Sequence, residues 1–162
     1  TNAHTAQEAD TVILTVPYEA QAPLLAPLAG PLEGKTLIST VSPLAFEDGL
    51  PSLLAVPEGS ASAQVQRILP RSTVVAALHH VSAVELWAPE KVLDGDVLVC
   101  SDDSDARARV IDLVQRIPDL RGIDGGPLAN ARYVEEITAL LLNLNRVHHT
   151  RTGIRITGLE TG

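Results

Sequence analysis

Short aliphatic runs alternate with helix-like stretches along this chain, and that alternation restricts it to a mostly parallel sheet flanked by helices. The runs Thr11 to Val16, Lys35 to Val41, Thr73 to Leu78, Asp96 to Cys100 and Leu120 to Ile123 are the expected strands. Pro17 stops the first, because proline cannot donate to a ladder. Glu19 to Leu28 reads as a short helix interrupted by Pro23 and Pro27, Ser42 to Gly59 as a Pro/Gly-rich loop, and Ser60 to Leu69 as a helix. Asp102 to Asp105 supplies caps for a helix with apolar Ala106, Val110, Leu113, Val114 and Ile117, which Pro118 ends. The turn Asp124-Gly-Gly126 leads through Pro127 into a final helix, Leu128 to His149, about 33 Å long at 1.5 Å per residue.

That last helix differs from the others. Val134, Ile137, Leu140, Leu141, Leu142, Leu144 and Val147 cover most of its circumference, so it must be covered on more than one side. A second small helical domain after Asp124 or a partner subunit, as in a homodimer, would supply the cover. Composition sets the remaining bounds. With 162 residues and 45% apolar content the chain can build one sizeable core, and with one Trp, two Tyr and one Phe that core must be aliphatic. A net charge of −8 argues against nucleic acid as a partner. No apolar run approaches the roughly 20 residues of a membrane span, and Thr1 to Asp10 lacks the basic flank and apolar centre of a signal peptide; a cytoplasmic location without a membrane partner is the expectation. Cys100 closes an apolar strand and reads as a buried thiol.

Several motifs offer chemistry. Ala29-Gly-Pro-Leu-Glu-Gly-Lys-Thr36 satisfies a loose phosphate-loop pattern, but it leads into a strand rather than from a strand into a helix, so a glycine turn is the better reading. His79-His80 and His148-His149 have no Cys or carboxylate at ligand spacing, so no metal is expected. His79 instead follows a strand, and in doubly wound sheets ligands bind beyond the carboxyl ends of strands. Val16-Pro17-Tyr18, Ser42-Pro43-Leu44 and His79-His80-Val81 all lie just past strands and converge on one edge if those strands are parallel. They hold no paired carboxylates, activated Ser or Lys. Such a site suits positioning and water exclusion, as in hydride transfer between two ring cofactors. On the last helix Thr138, Asn145 and His149 share a polar stripe with Leu142, open either to loops of the same chain or to a ligand's polar edge. Between Ile137 and Leu159 there is no acidic residue, while Arg146, Arg151 and Arg155 form a local positive patch suited to a phosphate or carboxylate tail.

Taken in order, Leu14-Thr-Val-Pro-Tyr18, Ser42-Pro-Leu44, Val74-Val-Ala-Ala-Leu-His79, Val97-Leu-Val-Cys-Ser-Asp-Asp103, Asp124-Gly-Gly-Pro-Leu-Ala-Asn-Ala-Arg132 and Glu135-Glu-Ile-Thr-Ala-Leu-Leu-Leu-Asn143 resemble one family. It is that of the coenzyme F420-dependent NADP oxidoreductases, also called NADPH-dependent F420 reductases. The resemblance implies a doubly wound α/β Rossmann-like domain for NADP, here residues 1–123, followed by a small helical domain, residues 124–162, in a homodimer. It implies NADP and coenzyme F420 as cofactors, the deazaflavin stacked over the nicotinamide. Val16, Pro17, Tyr18, Leu44, Ala45 and Ala83 would line the NADP side, His79 and Val81 would lie near the reacting rings, and Thr138 would hydrogen-bond the deazaflavin. No catalytic acid or base is implied. The Arg151 to Arg155 stretch is then placed against the coenzyme's anionic tail, a step beyond the family's pattern.

Two features depart from that pattern. Glu136 stands beside Thr138 where a small hydroxyl residue is less surprising. No G-x-G-x-x-G occurs, and the chain opens at Thr1 in mid-pattern without a methionine, so it is expected to be the carboxyl-terminal two-thirds or so of an oxidoreductase, the glycine-rich strand lying upstream. The alternatives are an NADP-dependent reductase of a flavin, ferric chelate or imine, and a non-catalytic dimerisation module.

Overall fold

Residues 1–88 and 93–159 are described by the computed structural model of the chain. In chain order the elements are α1 (Asn2–Glu8), β1 (Thr11–Leu14), α2 (Tyr18–Leu25), β2 (Thr36–Ser39), β3 (Leu44–Glu47), β4 (Leu50–Leu53), α3 (Ala61–Ile68), β5 (Thr73–Ala76), α4 (Ala83–Leu86), β6 (Gly95–Val99), α5 (Ser104–Gln115), β7 (Leu120–Asp124) and α6 (Ala131–His148). Parallel β1, β2 and β5 are hydrogen-bonded in that order, and β6 pairs with β7, also in parallel. Ala76 and Cys100 exchange both backbone bonds, at 2.8 and 3.0 Å, and join the two pieces. This is the Rossmann-like, mostly parallel arrangement expected, with a C-terminal helical segment after β7.

Both faces of the sheet are buried, as parallel strands require. Leu37 on β2 and Val74 on β5 face one cluster with Leu14, Leu25, Val65 and Leu69; the neighbouring Ile38 and Val75 face the other, with Val97, Val99, Val110 and Val114. The two-residue period of a strand thus divides each aliphatic run between two cores. Leu128, Ala131 and Val134 belong to the first cluster, so the start of α6 is anchored in the same core as β1 and β2.

The structure differs from the sequence expectations in several places: α1 and α4 form where no helix was expected, and β1 ends at Leu14 rather than Val16. The Ser42 to Gly59 loop contains the antiparallel hairpin β3–β4, closed by Asp48 and Gly49 with φ of 50° and 75°. Two consecutive positive-φ residues fit the strand twist, and Gly takes such a conformation without a Cβ penalty. β5 stops at Ala76 rather than Leu78, since Leu78 turns into the left-handed region with φ 65°. The last helix is preceded by a 3-10 turn, Leu128–Asn130, and its regular part of 18 residues spans about 27 Å. Its core side is narrower than expected: Leu140 and Val147 are exposed, while Val134, Ala139 and Leu141 are buried. Among the described residues no helix is long and apolar enough to cross a membrane.

Gly122 on β7 lies directly beneath α5, where a Cβ would stand 3.0 Å from the Ile111 carbonyl oxygen and 3.1 Å from its Cα. Those atoms are backbone and cannot rotate away. Gly122→Ala is therefore expected to destabilise the fold by about 1–3 kcal/mol, read as a fall in the denaturation midpoint; an unchanged midpoint would refute this contact.

Candidate functional site

Because β1, β2 and β5 run parallel, the segments that follow them leave the sheet at one edge. The left-handed Leu78 turns the chain immediately after β5, and His79 is carried inward until its side chain is fully buried. A non-glycine residue at this φ is uncommon and is held there by its surroundings. His79, His80, Val81, Ser82 and Val84 form one wall of a cleft of about 260 Å³; Thr138, Leu141, Leu142 and Asn145 of α6 form the facing wall, and Arg151 and Thr152 close one end.

Of the residues expected from sequence, the cleft brings together His79, Val81 and Thr138. Thr138 is buried, its hydroxyl 3.4 Å from the Val134 carbonyl one turn back, and it accepts a bond from the Ser42 hydroxyl at 3.3 Å. The segment after β2 is thereby tied to α6. The other expected residues lie elsewhere. Val16 lines an apolar groove along β1 with Leu14 and Leu24, and the Tyr18 hydroxyl accepts from Gln64 at 3.2 Å. Pro17 is exposed between them, Ala83 is exposed at the start of α4, and Leu44 and Ala45 are half-buried on β3 opposite Leu53 and Ser52. Asn145 does not face a ligand freely, because its side-chain oxygen accepts from the Thr152 amide at 2.6 Å and hydroxyl at 2.8 Å. His149 is exposed at the left-handed C-cap of α6.

The strongest electrostatic feature was not among the expected residues. Glu135, on the buried face of α6, places its carboxylate at the N-terminus of α3. It accepts from the Ala61 amide at 2.7 Å, the Ser62 amide at 2.9 Å and the Ser62 hydroxyl at 2.7 Å. Those amides are among the unpaired donors that every helix start leaves open, and the positive end of the helix favours an anion there. Burial raises the Glu135 pKa, while the three donors oppose that rise. Its partners offer N–H groups to both oxygens, an arrangement that suits a carboxylate and not an acid. Oε1 also lies 3.9 Å from His79 Nε2. Burial, followed by the neighbouring His80, pushes the His79 pKa down to about 3, so the ring is neutral at ordinary pH. Among the described residues, neither His79 ring nitrogen has a hydrogen-bond partner. His80 Nε2 meets the Asp96 carbonyl at 2.7 Å, and since a carbonyl only accepts, that nitrogen carries the hydrogen; burial lowers the His80 pKa as well.

Asp96 is a second buried carboxylate. Arg121, its register partner on β7, grips it with two bonds of 2.7 Å, and the Ile156 amide donates to it at 2.5 Å. The Asp96 amide in turn donates to the Ile154 carbonyl at 2.8 Å, so the segment after α6 is fastened along β6 and reaches the end of the cleft. This fastening alters the positive patch expected from sequence. Arg155 pairs with Asp94, and Arg151 lies 3.8 Å from Glu85. Acidic residues far away in sequence neutralise both.

No family model matches the chain. An F420-dependent NADP reductase of Methanocaldococcus jannaschii is 41% identical over 98% of the chain and 73% of its own length. The chain belongs to the F420-dependent NADP reductase family. A relative of the same description from Methanothermobacter marburgensis is 38% identical, again over 98% of the chain and 73% of its own length. A crystal structure from Arthrobacter sp. fb24, assigned to F420-dependent NADP reductases, superposes with a TM-score of 0.84 at 29% identity, covering 96% of this chain and 72% of that one. The resemblance carried by the sequence segments is thus matched in identity and in fold.

The Asp96 clamp gives a pH dependence of known sign. Arg121 holds the Asp96 carboxyl below its ordinary value, burial opposes this, and Ile156 and Arg155 reinforce it. A depressed carboxyl contributes stability that is complete above the unfolded aspartate value of about 3.9 and is lost as pH falls through the lower folded value. Hydrogen-exchange protection of the Ile156 amide is expected to disappear over that acid range, and to be weak at neutral pH in Asp96→Asn. Protection that persists in the variant would show that the clamp does not hold the segment.

Proposed function

We propose that the protein transfers a hydride between NADPH or NADP and coenzyme F420, with the cleft between His79 and Thr138 receiving the reacting rings. The observation that carries this reading is 41% identity to an F420-dependent NADP reductase across nearly the entire chain. The cleft supports it. Val81, Leu141 and Leu142 offer apolar wall to a flat ring, and the buried His79 ring backs the wall on the side of β5. The nicotinamide and deazaflavin supply the redox chemistry themselves. The chain's part is to orient them and exclude water: Val81 packs against the rings, and Thr138, steadied by Ser42, presents its hydroxyl to the deazaflavin. His79 is neutral and acts by position. In the same reading Val16, Pro17, Tyr18, Leu44, Ala45 and Ala83 serve the NADP side, residues 1–123 form the NADP-binding part, residues 124–162 form the deazaflavin-binding part, and the enzyme works in the cytoplasm.

Purified protein mixed with NADPH and F420 is expected to lose the deazaflavin absorbance only when both are present. Absence of turnover in either direction would overturn the proposal. Thr138→Val keeps the side-chain shape and removes the hydroxyl; loss of one hydrogen bond of about 0.5–1.5 kcal/mol predicts deazaflavin affinity weakened roughly two- to tenfold with NADPH affinity unchanged. A change in melting temperature alone would reduce Thr138 to its contacts with Val134 and Ser42.

The reading includes a homodimer. Tyr133, Leu140 and Val147 on α6 and Phe46, Leu50 and Leu53 on the β3–β4 hairpin are exposed, and β4 packs beside α6, with the Asn143 side chain donating to the Pro51 carbonyl at 3.3 Å. Exposed aliphatic and aromatic groups on adjacent elements are the ordinary material of a subunit interface. Light scattering should give twice the monomer mass for the wild type and a shift toward monomer for Leu140→Glu. A monomeric wild type at micromolar concentration would exclude the dimer.

A further inference from the structure

Glu135 takes no part in the hydride transfer described above, yet its carboxylate lies 3.9 Å from His79 Nε2 and is almost wholly buried. Three donors from α3 fix both of its oxygens, so the carboxylate cannot rotate away from the imidazole without leaving the Ala61 and Ser62 amides unpaired. At 3.9 Å the contact is too long for a hydrogen bond, and it acts through the field. A neutral imidazole can place its hydrogen on either nitrogen. An Nε2–H directed at a carboxylate is attractive, whereas an Nε2 lone pair facing it is repulsive, and low dielectric amplifies the difference.

We propose that Glu135 is a positioning residue for the cleft: it fixes His79, whose buried ring backs the wall that follows β5, as the tautomer with hydrogen on Nε2. His80 reaches the same tautomer by another route, because its Nε2 donates to the Asp96 carbonyl and its Nδ1 is left without a partner. Both Nδ1 atoms are shut off from solvent, so the two tautomers set the packing of one wall of the cleft. The charged and titratable groups near the pair are His80 beside His79, the buried Cys100 thiol at the end of β6, and Glu136 and Arg132 on the turns of α6 that flank Glu135. Arg132 and Glu136 are exposed, so neither replaces Glu135 at the imidazole.

The effect on turnover rests on the proposed ring-binding function; the tautomer itself does not, so the two can fail separately. Nitrogen-resolved NMR of the histidine side chains in the ligand-free wild-type protein at neutral pH is expected to show His79 with hydrogen on Nε2 and a bare Nδ1. Hydrogen on Nδ1 would overturn the proposal outright, and this measurement needs no variant to fold. Glu135→Gln removes the charge at nearly constant shape. It is expected to give a mixture of His79 tautomers and a kcat lowered about ten- to a hundredfold, with KM for NADPH within about twofold. An unmixed Nε2–H tautomer in the variant, or a lower melting temperature with kcat unchanged, would show that Glu135 only holds α3 and α6 together.

Discussion

A single buried carboxylate connects the parts of this molecule that must stay in register. Glu135 joins the second turn of α6 to the first turn of α3 and stands beside the loop that leaves β5. Burying a charge is costly unless it is paired or hydrogen-bonded, and here two helix-start amides and a serine hydroxyl offset part of that cost. The arrangement has a geometric consequence. α3 lies on the sheet through Val65 and Leu69, so fixing its N-terminus fixes α6 relative to β1, β2 and β5. The two walls of the cleft, one from the β5 loop and one from α6, are held apart at a set distance by that bond set.

Asp96 performs a comparable task at the other end of the cleft. Its pairing with Arg121 is across strands, so the sheet register itself brings the ions together. The remaining lone-pair capacity of the carboxylate captures Ile156, and the carbonyl of the same residue captures His80. One residue thus orients both the closing segment and a histidine of the cleft wall. Local sequence suggested a free cationic patch at Arg151 to Arg155. Glu85 and Asp94 lie on segments far away in sequence, and only the fold reveals that they neutralise it.

Much of the architecture was legible because aliphatic runs of the right length, stopped by prolines and polar turns, have few alternatives in a small core. The β3–β4 hairpin was missed although its signal was present: Asp48-Gly49 sits between Leu44–Glu47 and Leu50–Leu53, a two-residue hairpin turn hidden by the surrounding prolines and Pro51 itself. Glu135 was also readable in principle. Ala131, Val134, Glu135, Thr138 and Ala139 follow helical spacing on one face, and a glutamate on a buried stripe requires an explanation. Its neighbour Glu136, the acidic residue that stands out beside Thr138 in the sequence, is exposed.

What the sequence by itself determined was the order and kind of the principal elements, the parallel sheet and the family, because those depend on periodicity and on segments whose residues are contiguous. The positions of His79 and Thr138 beyond a strand and on the last helix were likewise readable. Only the tertiary structure decided which side chains meet: Ser42 with Thr138, Glu135 with the α3 amides and His79, and Asp96 with Arg121 and Ile156. These contacts join residues separated by 25 to 96 positions. Their energies depend on burial and on distance in space, and neither is written in the spacing of residues along the chain.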